Sequence, residues 1–198
     1  MPQPRIKIYT RSFDLKLYRL SKGLYAGLQD AAGNPIPCVR LTDQTADVYF
    51  YTMLRDSDCD IAINVDEDCF ITHPEAVMEL LDYVAENHLE NAGCPDGGSW
   101  APRYANPLIT NPFFNILNLK LIRETFSKDV VRKFDYASHK EEMIASYPKD
   151  RLYEGCRWDF DVADHEPYCK FFLWMASHHK TLYLPNAQHP DGTTTILM

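Results

Sequence analysis

Between residues 5 and 88 the chain alternates two textures, and this alternation constrains the fold more than any other feature. Arg5-Ile6-Lys7-Ile8-Tyr9 alternates as a strand does, and Thr10-Arg11-Ser12 follows as turn and cap. Phe13, Leu17, Leu20, Leu24 and Leu28 then form one helical stripe, which predicts the core-facing side of a first helix. Gly33-Asn34-Pro35 breaks the chain, and residues 36–41 read as a second strand. Thr42 or Asp43 can cap a helix with Ala46, Tyr49, Phe50, Met53 and Leu54 on its core face. A third strand, Ile61-Ala62-Ile63-Asn64-Val65, is β-branched and alternating. Thr72-His73-Pro74-Glu75 fits a capping box before a helix whose apolar face is Val77, Leu80, Leu81 and Val84. A β-α-β-α-β-α order predicts a parallel sheet with right-handed crossovers.

The third strand runs directly into Asp66-Glu67-Asp68. In an open α/β sheet the C-terminal ends of the strands are where ligands bind. Three carboxylates at such an edge repel one another unless a cation sits among them, and oxygen ligands suit Mg²⁺ or Mn²⁺. Mg²⁺ takes one or two carboxylates and completes its shell with water and phosphate oxygens. The pattern therefore predicts a metal–diphosphate site. An acidic turn that only solvates a strand end produces the same letters.

Composition narrows the partners. Twenty-eight acids against 20 Lys and Arg give a net charge of −8, which argues against a nucleic-acid binder. Arg5, Lys7, Arg11, Lys16, Arg19 and Lys22 form a local exception, interrupted only by Asp14. They could help hold a small phosphorylated ligand, or simply solvate a helix face. The 6 cysteines include no Cys-x-x-Cys pair and no zinc-finger spacing. The start, Met-Pro-Gln-Pro-Arg, has no apolar signal core, and no apolar run is long enough for a transmembrane segment. A cytoplasmic chain with free thiols is the expectation.

The texture changes near residue 90. Residues 91–94 read as a strand closed by Pro95-Asp96-Gly97-Gly98, residues 99–113 as a Pro- and Asn-rich loop, and residues 114–119 as another strand. Asp96 lies at a strand end near the proposed cleft, where it also suits a turn. Residues 122–154 read as helix plus connection. Asp164 can cap a helix that carries Tyr168, Phe171, Phe172 and Met175, and a short strand follows at 182–184. No repeat or linker is visible, so residues 1–198 read as a single domain whose texture divides it into residues 1–90 and residues 91–198. The sequence closes on Thr-Thr-Thr-Ile-Leu-Met, an apolar end without a natural cap, which suggests a further segment beyond it.

A β/α half, a strand ending Val65-Asp66-Glu67-Asp68, a capped helix and a mixed second half together resemble the GT-A glycosyltransferases, most closely bacterial enzymes of the family-two type. The resemblance implies a GT-A-like α/β fold, a Rossmann-type mixed sheet flanked by helices. It also implies transfer of a sugar from a nucleotide-sugar donor to a carbohydrate or other hydroxyl acceptor, with Mn²⁺ or Mg²⁺ assisting. Asp68 would coordinate the metal, and Asp66 would share it or face the ribose. Glu67 would point to the strand's other side or to solvent. Thr10 and Arg11 would lie near the nucleotide, and His189 could complete the metal shell. Asp161, Asp164 and Glu166 would be candidates for the general base that takes the acceptor's proton. Aromatics such as Trp100, Phe113, Phe114 and Trp158 could stack on sugar faces. Each has a plainer reading: Asp164 as an N-cap, Glu166 as a first-turn acid, Phe113 and Phe114 as core.

Three other classes compete for the acids. A haloacid-dehalogenase-like phosphatase would use Asp66 as nucleophile and Asp68 as general acid, but Cys69-Phe70 follows where that motif prefers Thr or Val, and no clear downstream Asp-Asp pair exists for the metal. A nucleotidyltransferase would carry an early Gly-rich phosphate loop, which this chain lacks. A non-catalytic metal- or carbohydrate-binding module would need the metal and aromatics alone. An EF-hand is excluded, because no Gly stands at the required position.

Overall fold

The computed structural model describes residues 3–96, 106–152, 157–158, 168–189 and 193–196. Its strands are β1 (Ile6–Arg11), β2 (Cys38–Leu41), β3 (Ile61–Val65), β4 (Asn91–Pro95), β5 (Thr110–Leu117), β6 (Thr181–Tyr183), β7 (Asn186–Gln188) and β8 (Thr194–Ile196). Its helices are α1 (Leu15–Tyr25), α2 (Ala46–Arg55), α3 (Pro74–Glu86), α4 (Leu119–Thr125), α5 (Lys128–Lys133), α6 (Tyr136–Ser146) and α7 (Cys169–Ala176).

Six strands form one mixed sheet in the order β2-β1-β3-β5-β4-β6, and β7 and β8 form a separate antiparallel pair. β1 pairs in parallel with both β2 and β3, as the alternation predicts. β5 runs antiparallel to both β3 and β4, while β4 and β6 are parallel. The C-terminal ends of β1, β3 and β4 and the N-terminal end of β5 therefore share one rim. The α/β class holds: a mixed sheet is covered by helices on both faces.

One face carries an aliphatic core in which Ile8, Ile61, Ile63, Val65 and Ile116 meet Tyr25, Val77, Leu81 and Val84 from α1 and α3. The other face is aromatic, with Tyr49, Phe50, Phe171, Phe172 and Trp174 packed around Ala62 and Leu117. Phe50 stacks on Phe171 and meets Phe172 edge-on, at centroid distances of 5.7 and 5.0 Å. Burial on both faces explains why β3 is buried at every position.

A polar chain crosses this sheet. The Tyr49 hydroxyl donates to Asn64 Oδ1 at 2.5 Å, Asn64 Nδ2 to Asn115 Oδ1 at 3.1 Å, and Asn115 Nδ2 to Thr110 Oγ1 at 3.1 Å. Asn91 Nδ2 donates to the same threonine at 2.9 Å. Gly93 makes room for it, since a Cβ there would lie 2.3 Å from Asn115 Nδ2.

Several expectations are corrected. The buried side of α1 is Tyr18, Ser21 and Tyr25, and Phe13, Leu20 and Leu24 of the expected stripe are exposed. Tyr25 and Tyr18 win that face because their polar tips find partners: Tyr25 Oη sits 2.7 Å from Thr10 Oγ1, and the Arg40 guanidinium lies over the Tyr18 ring. The capping box does not form, as α3 starts at Pro74 with no side-chain cap from His73. α2 is preceded by Thr45, also without a side-chain cap, rather than by Thr42 or Asp43. β5 begins at Thr110, inside the expected loop, and Leu119 opens α4 instead of ending a strand. The five described cysteines are free thiols.

Candidate functional site

The rim at the ends of β1 and β3 is built by a tight turn. The Asp66 amide donates to Phe113 O of β5 at 2.9 Å, and the Cys69 amide donates back to Asp66 O at 3.0 Å. Asp66 Oδ1 accepts from the Glu67 amide at 3.0 Å. Glu67 does not point to the strand's far side or to solvent: its Oε2 accepts from the amides of Phe13 and Asp14 at 3.0 and 2.8 Å. That contact ties the acidic turn to the start of α1, whose N-cap Asp14 accepts from Lys16 N and Leu17 N. The glutamate between the two aspartates is thus a brace.

Asp66 is mostly shielded, with 23% of its side chain exposed, and its one cationic neighbour among the described residues, Arg11, approaches to 3.8 Å. Burial pushes its carboxyl up from the ordinary 3.8 to about 6, the negative charges of Asp68 and Glu67 push the same way, and Arg11 opposes them. Asp68 is exposed. The pair is therefore an under-neutralised, oxygen-only donor set at a strand end, the setting in which a hard divalent cation lowers the repulsion. Tyr49, below Asp66 on α2, has its hydroxyl held well above the usual range by burial and by the Asp66 charge.

The other proposed residues fall as follows. Arg11 reaches the rim and stands 5.7 Å over the Phe13 ring. Thr10 is turned away from the rim: it is buried, and its hydroxyl pairs with Tyr25 in the core beneath α1. Asp96 lies two strands along the same rim, buried, accepting from Asn111 Nδ2 at 2.8 Å and Tyr168 Oη at 2.7 Å. It is a tie between β4, β5 and the start of α7, rather than a solvated turn former. His189 directly follows β7, and its Nε2 lies 2.8 Å from Thr195 Oγ1. Among the described residues there is no group of three His, Cys, Asp or Glu that could hold a metal ion. Asp161, Asp164, Glu166 and Trp100 lie outside the described residues. Phe114 is core; Phe113 is half-buried against the same cluster, and Trp158 packs on Tyr147.

Reading the sequence missed three participants. Glu67 as a brace left no signal in the letters. Asn64 did: an amide inside Ile-Ala-Ile-Asn-Val is a buried polar group that needs partners, and it finds Tyr49 and Asn115. Asn111, the partner of Asp96, sat in a segment read as loop.

The fold and site define an α/β protein with a mixed sheet and an acidic strand end on the rim formed by the C-terminal ends of β1, β3 and β4. The chain matches no known family profile, and no curated protein is similar to it. Among solved structures it is similar to a mannosyltransferase, PcManGT from Pyrobaculum calidifontis, in complex with GDP-Man and Mn²⁺. The identity is 11%, the likeness covers 90% of this chain and 70% of that one, and the TM-score is 0.46. At that distance the residues themselves have to carry the functional reading.

Proposed function

We propose that this chain is a metal-dependent glycosyltransferase of the GT-A kind, moving a sugar from a nucleotide-diphosphate donor to a hydroxyl acceptor, with residues 1–198 acting as one catalytic domain. The single observation that carries the reading is the state of Asp66 and Asp68. They are two carboxylates at the C-terminal rim of the parallel strands, one desolvated and raised to about 6 with an arginine no closer than 3.8 Å, the other exposed. A carboxylate pair kept in this condition is costly to the apo fold and is relieved by a cation.

Asp66 and Asp68 would hold Mn²⁺ or Mg²⁺, leaving its remaining positions to water and diphosphate oxygens. When bound, such a cation supplies electrostatic stabilisation of the charge that grows on a leaving diphosphate. Arg11, on the same rim, adds a second positive charge beside Asp66. Glu67 holds the turn against α1 so that both aspartates keep their height above the sheet. The acceptor's proton needs a carboxylate base, and Asp161, Asp164 and Glu166 remain the candidates from the sequence. The expected setting is cytoplasmic; no helix among the described residues is long and apolar enough to cross a membrane.

Thermal melting with a panel of nucleoside diphosphates and sugar nucleotides, each with and without Mn²⁺, tests the proposal. The expected result is a rise in melting temperature that requires both nucleotide and metal and disappears in Asp68→Ala. No response to any nucleotide in the presence of Mn²⁺ would remove the reading. Hydrolysis of a generic phosphate ester, abolished by Asp66→Asn, would replace it with a phosphatase.

A further inference from the structure

Nine large apolar side chains stand out as exposed among the described residues, and four of them lie between residues 13 and 24: Phe13 at 65%, Leu15 at 44%, Leu20 at 57% and Leu24 at 43%. Helix α1 turns Tyr18, Ser21 and Tyr25 inward and leaves these outside. Leu20 and Leu24 are one turn apart on the same strip. A Cβ placed at Gly23 or Gly27 would meet nothing within 4 Å, so the surface around them is open.

The charge on this face is as uneven as its polarity. From residue 15 to residue 29 there is no acid, while Lys16 and Arg19 are exposed and Lys22 lies at the flank with its ammonium 5.8 Å over the Tyr18 ring, in a chain whose net charge is −8. Asp14, just before the helix, is occupied in capping it, and Glu67 is occupied by the Phe13 and Asp14 amides.

We propose that the outer face of α1 is a docking surface for an anionic lipid bilayer. Exposed leucines and a phenylalanine interspersed with long cationic side chains are what an interfacial helix offers: the apolar groups enter the acyl boundary, and the lysine and arginine stems reach back to anionic headgroups. A second copy of the chain fits poorly, because two such faces would oppose Lys16 and Arg19 with the same two cations and no acid between residues 15 and 29. The inference is independent of the proposed reaction, since it uses neither Asp66 nor Asp68.

Co-sedimentation of the full chain with vesicles tests it, using phosphatidylcholine alone and phosphatidylcholine with phosphatidylglycerol at about one part in three. Binding is expected to the anionic vesicles, weakening as salt is raised, and to be negligible on the neutral ones. Leu20→Glu with Leu24→Glu should lower the affinity roughly tenfold or more, and Lys16→Glu with Arg19→Glu similarly. Circular dichroism and melting should be unchanged in both variants, because the four side chains are exposed. Failure of the parent chain to bind anionic vesicles, or equal binding by the variants, overturns the proposal. So does a dimer of the parent chain that Leu20→Glu dissolves, or equally tight binding to soluble polyglutamate, either of which would make the face a protein interface.

Discussion

The two rims of the central sheet treat the same residue type in opposite ways. At the N-terminal rim the acids are neutralised. Arg5 makes paired contacts with Asp60, from Nη2 at 2.8 Å and Nε at 3.0 Å, and this holds the Asp60 carboxyl down to about 2. Lys7 at 2.6 Å and the Tyr9 hydroxyl at 2.5 Å hold Asp56 at about 2 as well. Buried Glu90 lies 2.7 Å from His178 Nδ1 and 3.7 Å from Lys180 Nζ. At the C-terminal rim, burial drives Asp66 up to about 6, with Asp68 and Glu67 adding to the repulsion. The first set stabilises the fold. The second works against it, and carboxylates perturbed in this way cluster at functional sites.

The contrast fixes signs that experiments can break. The largest effect belongs to the neutralised rim. Asp56→Ala leaves Lys7 without its acid and the buried Tyr9 hydroxyl without its acceptor, so urea unfolding should show a loss of about 3 kcal/mol. Because the folded carboxyls of Asp56 and Asp60 sit below their unfolded value near 4, their contribution is complete above that pH and disappears as pH falls toward 2.

At the opposite rim the sign reverses. Asp66 has a folded value above its unfolded one, so it favours the fold below about pH 4 and loses that advantage as pH rises through 6. Asp66→Asn should therefore stabilise the apo chain at pH 7.5 by on the order of 1–2 kcal/mol and flatten the profile between pH 4 and 6. A destabilised Asp66→Asn in melting at that pH would show the rims to be alike.

Cation affinity follows the same carboxyl. Mn²⁺ binding, followed by calorimetry, should strengthen roughly tenfold per pH unit below 6 and level off above it, as Asp66 becomes ionised. A flat response from pH 5 to 7 would place the metal elsewhere. The smallest stability effect belongs to Asp68→Asn: the side chain is exposed, so unfolding should shift by no more than about 0.5 kcal/mol while metal-dependent nucleotide stabilisation is lost.

How much of this was legible depends on the residue. The β-branched run 61–65 and its acids could be read directly, because alternation and burial on both faces leave few other options. The face of α1 could not. Spacing favoured leucines, while the fold buried tyrosines whose hydroxyl or ring finds a polar partner only in three dimensions, as Tyr25 does with Thr10 and Tyr18 with Arg40. The opening of β5 was hidden by Asn111 and Pro112, poor strand formers that are nevertheless held against β4 through Thr110. Glu67 was misread for a similar reason: its partners are backbone amides far along the chain, and amides carry no letter.

The amide relay from Tyr49 through Asn64 and Asn115 to Thr110 works as a registration mark. Sliding β5 by one position would bring Phe114 or Ile116 opposite Asn64 and turn every side chain of the strand to the wrong face. The same slide would carry off the carbonyl of Phe113, which sets where Asp66 leaves the sheet, moving the acidic turn by about 3.4 Å. An error in strand alignment would thus displace the acidic turn together with the hydrophobic interior, and the bare hydrogen atom of Gly93 is what lets the mark be printed at all.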